Sequence, residues 1–321
     1  MMKTTILGLI AVLSFALFSC QNIEGTSSTT SNEDQVLKSA AIAVNDVAVE
    51  SVAQEADYEA DFFAESEHLL RQLSHYKGKK NLMKGRSGTH YANDNCPNVS
   101  IDTASTGYPI VITIDYGDST ELHNGRFISG IVTIEISAPR GTDGKTNTIT
   151  YTNCVIDSIT INGVSTEVFT GDNETTRIVT ISSDVTFELA DGTVLDRVGT
   201  RVREWIAGLD TPMEHSDDMI QITGSIEITS STGDNWEKLI VEPLIKTGEC
   251  RHPVQGTVQY SQNGVIISEL NYGDGECDNI ATLTVDGETV EIELQGNMPK
   301  ANCPDNNGNG KDNGNKNGGK H

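Results

Sequence analysis

The sequence predicts a mainly β protein: an antiparallel, sandwich-like module in one or two lobes, preceded by an N-terminal amphipathic helical segment. Three observations carry this. Across residues 96–295 Thr, Ile and Val alternate with period two, the pattern of strands with one buried face; examples are Thr148-Ile149-Thr150-Tyr151-Thr152 and Ser225-Ile226-Glu227-Ile228-Thr229. Ile131-Val132-Thr133-Ile134-Glu135-Ile136 and Glu288-Thr289-Val290-Glu291-Ile292-Glu293-Leu294 repeat it. Between such runs Asn162-Gly163, Asp191-Gly192, Asn263-Gly264 and Asp286-Gly287 favour positive φ and predict tight hairpins, with Asp143-Gly144 in a longer loop. Upstream, over residues 34–75, apolar residues recur at three- and four-residue steps with no Gly or Pro between them. About a dozen strands in roughly two hundred residues suit a sandwich or one long folded sheet.

The amino terminus sets the compartment. Residues 1–5 carry one charge, Lys3, and residues 6–18 are almost wholly apolar, the length of a signal h-region and too short to span a bilayer. The run stops at Leu17-Phe18-Ser19-Cys20. Leu17, Ser19 and Cys20 resemble the bacterial lipoprotein box; Phe18 is bulkier than usual. The resemblance implies that residues 1–19 are a signal peptide and that Cys20 carries a diacylglyceryl thioether and an N-acyl group, a durable multi-chain anchor. The competing reading is a plain secretory signal with Cys20 incidental. An aspartate after the lipidated cysteine favours inner-membrane retention; Gln21 stands there, so the expected site is the outer membrane, with either face open.

Residues 20–33 are small and polar and read as a tether. The segment 34–75 reads as one long or two shorter helices. Its polar face holds Asp46, Glu50, Glu55, Asp57, Glu59, Asp61, Glu65 and Glu67, expected to be a solvated face or, more sharply, a docking face for a basic partner. Residues 76–94 are Gly-rich and basic and read as a linker. The β module is expected at 95–296, with lobes about 95–230 and 231–296, and a low-complexity tail at 297–321. Ile114-Asp115-Tyr116-Gly117-Asp118 and Leu270-Asn271-Tyr272-Gly273-Asp274 form a weak internal repeat, a strand ending in a Tyr-Gly-Asp corner.

Across 321 residues, 22 Lys and Arg face 46 Asp and Glu, a net charge of −24. That balance argues against a nucleic-acid partner, which needs a basic footprint. With Cys20 committed to lipid, Cys96, Cys154, Cys250, Cys277 and Cys303 remain, none in a C-x-x-C spacing. Cys250 and Cys277 flank the Asn263-Gly264 hairpin and are expected to form a disulfide, which an exported protein permits. Cys96 is left to meet Cys154 or Cys303.

Three blocks point to a family. These are Tyr108-Pro109 through Asp115-Tyr116-Gly117 and Asn124-Gly125-Arg126; Arg201-x-Arg203-Glu204-Trp205-Ile206-x-Gly208-x-Asp210-Thr211-Pro212; and Glu249-Cys250-Arg251 with Gly273-Asp274-Gly275-x-Cys277-Asp278-Asn279. Over roughly residues 95–295 they resemble a group of Bacteroidota envelope lipoproteins. The group has no assigned activity, so the resemblance implies a β-rich exported domain and transfers no catalytic residue. Leu122 stands where members carry a cysteine, so no pairing for Cys96 is carried over.

Candidate chemistry is sparse. Trp205 with Arg201 and Asp210 is a candidate ligand site, since an indole face stacks on a sugar ring and Arg–carboxylate pairs orient hydroxyls; the competing reading makes Trp205 a core plug. Asp115, Asp118 and Glu121, and Asp274, Glu276 and Asp278, are candidate calcium loops that need further oxygens to complete a shell. Asp102-Thr103-Ala104, Asp118-Ser119-Thr120 and Asp157-Ser158-Ile159 resemble O-glycosylation acceptors of that phylum. No zinc-binding, nucleophile-elbow or phosphate-loop spacing occurs. The expectation is a lipid-anchored, non-enzymatic envelope module with a glycan or envelope-protein partner and no cofactor. The alternatives are a calcium-dependent or glycan-binding domain and, further off, a hydrolase.

Overall fold

The computed structural model describes residues 29–74, 96–102, 107–122, 124–211, 214, 216–250 and 252–294, with backbone alone at 29–35 and 73–74. Cys20 with its expected lipid anchor, the expected signal peptide, residues 76–94 read as a linker, Thr103 of the first expected acceptor site, Cys303 and the expected tail lie outside the described residues.

Two helices come first, α1 (Thr29–Glu65) and α2 (Glu67–Ser74), so the helical segment is one long and one short element. Helix α1 begins inside the stretch read as tether. Among the described residues the strands are β1 (Asn98–Ile101), β2 (Ile110–Asp115), β3 (Thr120–Glu121), β4 (Phe127–Ile136), β5 (Thr146–Ile156), β6 (Ile159–Gly171) and β7 (Arg177–Glu188). They continue as β8 (Val194–Ala207), β9 (Met219–Ser230), β10 (Asn235–Thr247), β11 (Gln255–Gln262), β12 (Val265–Asp274), β13 (Ile280–Val285) and β14 (Glu288–Glu293).

All fourteen belong to one antiparallel sheet ordered as a meander, with β3 alone off the path, pairing with β4. Of the two arrangements the strand count allowed, the long folded sheet is the one found. It runs unbroken across the expected lobe boundary, where β9 and β10 pair from Asn235↔Thr229 to Thr247↔Met219.

The turn chemistry explains the meander. Asn263-Gly264 (φ 53° and 76°) and Asp286-Gly287 (φ 51° and 82°) make the expected tight hairpins, and Gly192 (φ 83°) closes the β7–β8 turn. Asn162-Gly163 does not turn. Both lie inside β6, and the β5–β6 hairpin is instead Asp157-Ser158 (φ 48° and 74°). Asn162 accepts the Asn153 N–H at 2.8 Å across a bulge in β5, and Gly163 is needed because a Cβ there would sit 2.3 Å from the Asp184 carbonyl oxygen.

The inner face of the sheet packs on α1. Ala43, Val49 and Phe63 of the helix join Ile112, Ile134, Ile156, Val258, Leu270 and Leu283 of the sheet in one buried cluster. The helix lies against β4 and β5 on one flank and β12 and β13 on the other, so the sheet bends around it. A helix thus supplies the second layer that a sandwich would draw from another sheet.

Candidate functional site

Along α1, Asp46, Glu50, Asp57 and Asp61 fall at steps of four, seven and four residues, one stripe of a helix. Along β8, Arg197, Arg201, Arg203 and Trp205 sit at odd positions, and alternation turns all four toward α1. The two stripes meet. Asp46 accepts from Lys238 Nζ (2.7 Å) and Tyr260 Oη (2.8 Å). Glu50 accepts from Lys238 Nζ (2.9 Å), Arg197 Nη2 (2.9 Å) and Arg201 Nη1 (3.0 Å). Arg201 Nη2 donates to Asp57 (3.1 Å), and Arg203 bridges Asp61 of the helix and Glu167 of β6.

A second acidic stripe meets the other flank. Tyr116 Oη donates to Glu59 (2.8 Å), Asn124 Nδ2 to Glu55 (2.7 Å), and Arg126 Nη1 to the Ser51 carbonyl oxygen (3.0 Å) while its Nε holds Asp157 (2.7 Å). The solvated acidic face is therefore corrected: Asp46, Glu50, Glu59 and Glu67 are buried. Unpaired carboxylates cannot be buried cheaply, and the sheet of the same chain is the basic partner that makes their burial tolerable.

Electrostatics follow from this packing. Burial pushes the Glu50 carboxyl up, but Lys238, Arg201 and Arg197 outweigh it and hold it well below the usual range. Glu167 goes the other way: burial and the Asp61 charge outweigh Arg203 and push it up to about 7. Glu167 is thus a buried acid with a raised pKa, of the kind hydrolases use for proton transfer. However, both Glu167 oxygens are engaged, by Arg203 and by Asn147 Nδ2, and its side chain is only 5% exposed. Tyr260 is pushed up by burial, by Asp46 and by Tyr272, and Tyr151 by burial and Asp57.

A cavity of about 30 Å³ lies inside the network, lined by Asp57, Ser165, Ser183, Arg197 and Arg201 among others. It admits a water but no sugar. The Nε atoms of Arg197, Arg201 and Arg203 are buried without a protein partner.

The predicted sites fare differently. Trp205 is 8% exposed, and the Arg177 guanidinium lies over its ring, 3.8 Å from the centroid. A stacking platform needs an open indole face, so that reading is corrected; Trp205 packs with Phe169, Val179 and Ile181. Arg201 is committed to Glu50 and Asp57, and Asp210 is exposed in the β8–β9 loop, so the three do not converge.

The calcium corners are corrected too. Asp115 caps the Gly117 N–H (2.9 Å) and Asp278 the Ile280 N–H (3.0 Å), while Asp118 and Asp274 are exposed. No group of three or more His, Cys, Asp or Glu that could hold a metal occurs among the described residues. What the corners do share is a buried tyrosine: Tyr116 bonds Glu59, and Tyr272 is pushed up by burial and then by the Glu50 and Asp46 charges.

Cys250 and Cys277 form the expected disulfide, joining the β10–β11 and β12–β13 loops rather than two strands. Cys96 and Cys154 are free thiols.

Sequence reasoning missed Lys238, Arg197, Arg126, Arg177 and Glu167. A signal existed: in Trp236-Glu237-Lys238-Leu239-Ile240, alternation sets Lys238 on the face of Trp236 and Ile240, where a lone cation demands a buried partner. Comparison with protein families, with characterised proteins and with solved structures gives no match.

Proposed function

We propose that the chain is a lipid-anchored, non-enzymatic module of the cell envelope, of the Bacteroidota type its sequence blocks resemble, in which α1 straps the β sheet to the anchor. The observation that supports this is the charge network: among the described residues, the carboxylates of α1 that meet the sheet are engaged by its cations rather than held open to a substrate. A helix enclosed by the sheet at one end and nine residues from Cys20 at the other (20 to 29) is built to transmit position rather than to turn over substrate.

Two measurements test the reading. Mass spectrometry of the N-terminal peptide should find Cys20 acylated; a bare thiol there removes the anchor. A protease site introduced between α2 and β1 should, after cleavage, leave the β sheet in the membrane fraction, held by α1 alone. Release into the soluble fraction under native conditions overturns the strap. Any soluble form used for ligand screening must retain α1, because cutting at residue 95 strips the sheet of its counter-charges.

A second reading, capture of a small acidic ligand, is favoured by a different cavity.

A further inference from the structure

Every described lysine and arginine has a carboxylate oxygen within 4.0 Å except Arg140, Lys145 and Lys246. In a chain of net charge −24, unpaired cations are the unusual feature. Two of these three line one cavity. It has a volume of about 50 Å³ and opens between the end of α1, the β4–β5 loop and the β6–β7 hairpin.

The cavity's carboxylates are already engaged. Glu65 pairs with Arg177, and Asp61 and Glu167 share Arg203. Each of these carboxylates is thus paired with a cation, which leaves Arg140 and Lys145 as the lining cations with no carboxylate oxygen within 4.0 Å. The wall also holds an acceptor: Asn147 Oδ1 is buried without a hydrogen-bond partner, its Nδ2 being fixed on Glu167 at 3.1 Å. A buried acceptor left open costs stability until a donor reaches it.

We propose that this cavity is a binding site for a carboxylate that carries a neighbouring hydroxyl. The carboxylate lies between Arg140 and Lys145, and the hydroxyl donates to Asn147 Oδ1. The enclosed volume takes that group and no more, so the rest of the ligand projects from the mouth. Uronic acids of glycans and free 2-hydroxy acids present the same chemistry. Burial lowers the Lys145 ammonium, against the pull of Glu167 and Glu65, and a bound carboxylate would oppose that lowering. The inference goes beyond the strap reading and stands or falls separately, since Arg140 and Lys145 make no ion pair with α1 and Asn147 reaches it only through Glu167 and Arg203.

The test is an amide chemical-shift titration of the full mature chain in detergent, with glucuronate, lactate and chloride in separate arms at matched ionic strength. Saturable shifts at Lys145, Asn147 and Phe169 are expected with a Kd of about 1 mM or tighter. Response to glucuronate alone identifies an acidic sugar, and response to lactate a free hydroxy acid; either supports the site. The Arg140→Gln/Lys145→Met variant should weaken binding at least about tenfold, as loss of charge-assisted hydrogen bonds requires. If that variant does not fold, Arg140→Gln alone, at an exposed position, serves instead and should still weaken binding. Shifts that chloride reproduces, that do not saturate, or that survive the substitution overturn the proposal.

Discussion

Lys238 of β10 donates to Asp46 of α1 at 2.7 Å, across 192 residues of sequence, with the two side chains only 6% and 2% exposed. This pair marks the point where helix and sheet become one folding unit. Neither charge is tolerable there without the other, and Tyr260 and Glu50 complete their hydrogen bonding.

Lys238→Met should therefore be strongly destabilising. Removing one partner of a buried ion pair leaves an uncompensated charge and costs about 3–5 kcal/mol. Urea unfolding followed through Trp236, on the same strand, measures it. Adding Asp46→Asn should recover part of the loss. A change below about 1 kcal/mol, the worth of a surface pair, would mean that the network is solvated.

Glu50 and Glu167 should shape the pH profile in opposite senses. The folded Glu50 carboxyl lies well below the ordinary value of 4.5, so its contribution is present above that pH and is lost as pH falls through the folded value. The folded Glu167 carboxyl lies near 7, so between pH 4.5 and 7 the folded chain holds a proton that the unfolded chain has released, and stability declines as pH rises across that window. The difference in unfolding free energy between the native chain and Glu167→Gln, measured against pH, should fall through this range and flatten above it. A flat difference throughout would mean that Glu167 titrates like an exposed carboxylate.

The Cys250–Cys277 bridge closes a loop with a sequence separation of 27. Chain-entropy arguments give a stabilisation of about 3–4 kcal/mol for a loop of that length. Cys250→Ser/Cys277→Ser should lower the melting temperature accordingly, and reductant should lower it for the native chain but not for the variant.

Thiol labelling should separate the two free cysteines. Burial, and then Glu59, push the Cys154 thiol up to about 12, and the residue is fully enclosed, whereas Cys96 is half-buried. Cys96 should react under native conditions and Cys154 only at the rate of unfolding. Equal rates would show that the α1–sheet core opens locally.

The strands were legible because each carries its own signal. The β4 run Ile131–Ile136 and the Asn263-Gly264 and Asp286-Gly287 turns need no distant partner to be read. Asn162-Gly163 misled because Gly serves two purposes: a positive φ in a turn, and close backbone approach within a sheet, and only the neighbouring β7 decides which. The acidic stripe misled for a deeper reason. Glu50 and Asp57 have the spacing of a solvent face, and charge normally stays wet; the β8 cations that reverse this lie 147 and 151 residues from Glu50 and 144 from Asp57.

What the sequence by itself determined is the local conformation: a helical segment, a succession of antiparallel hairpins, and a disulfide placed by its flanking turn. Only the tertiary structure decided which faces are inside. Period and turn chemistry act between near neighbours along the chain. The burial of a carboxylate depends on whether folding brings a guanidinium or an ammonium within hydrogen-bonding distance, and no short window of sequence contains both.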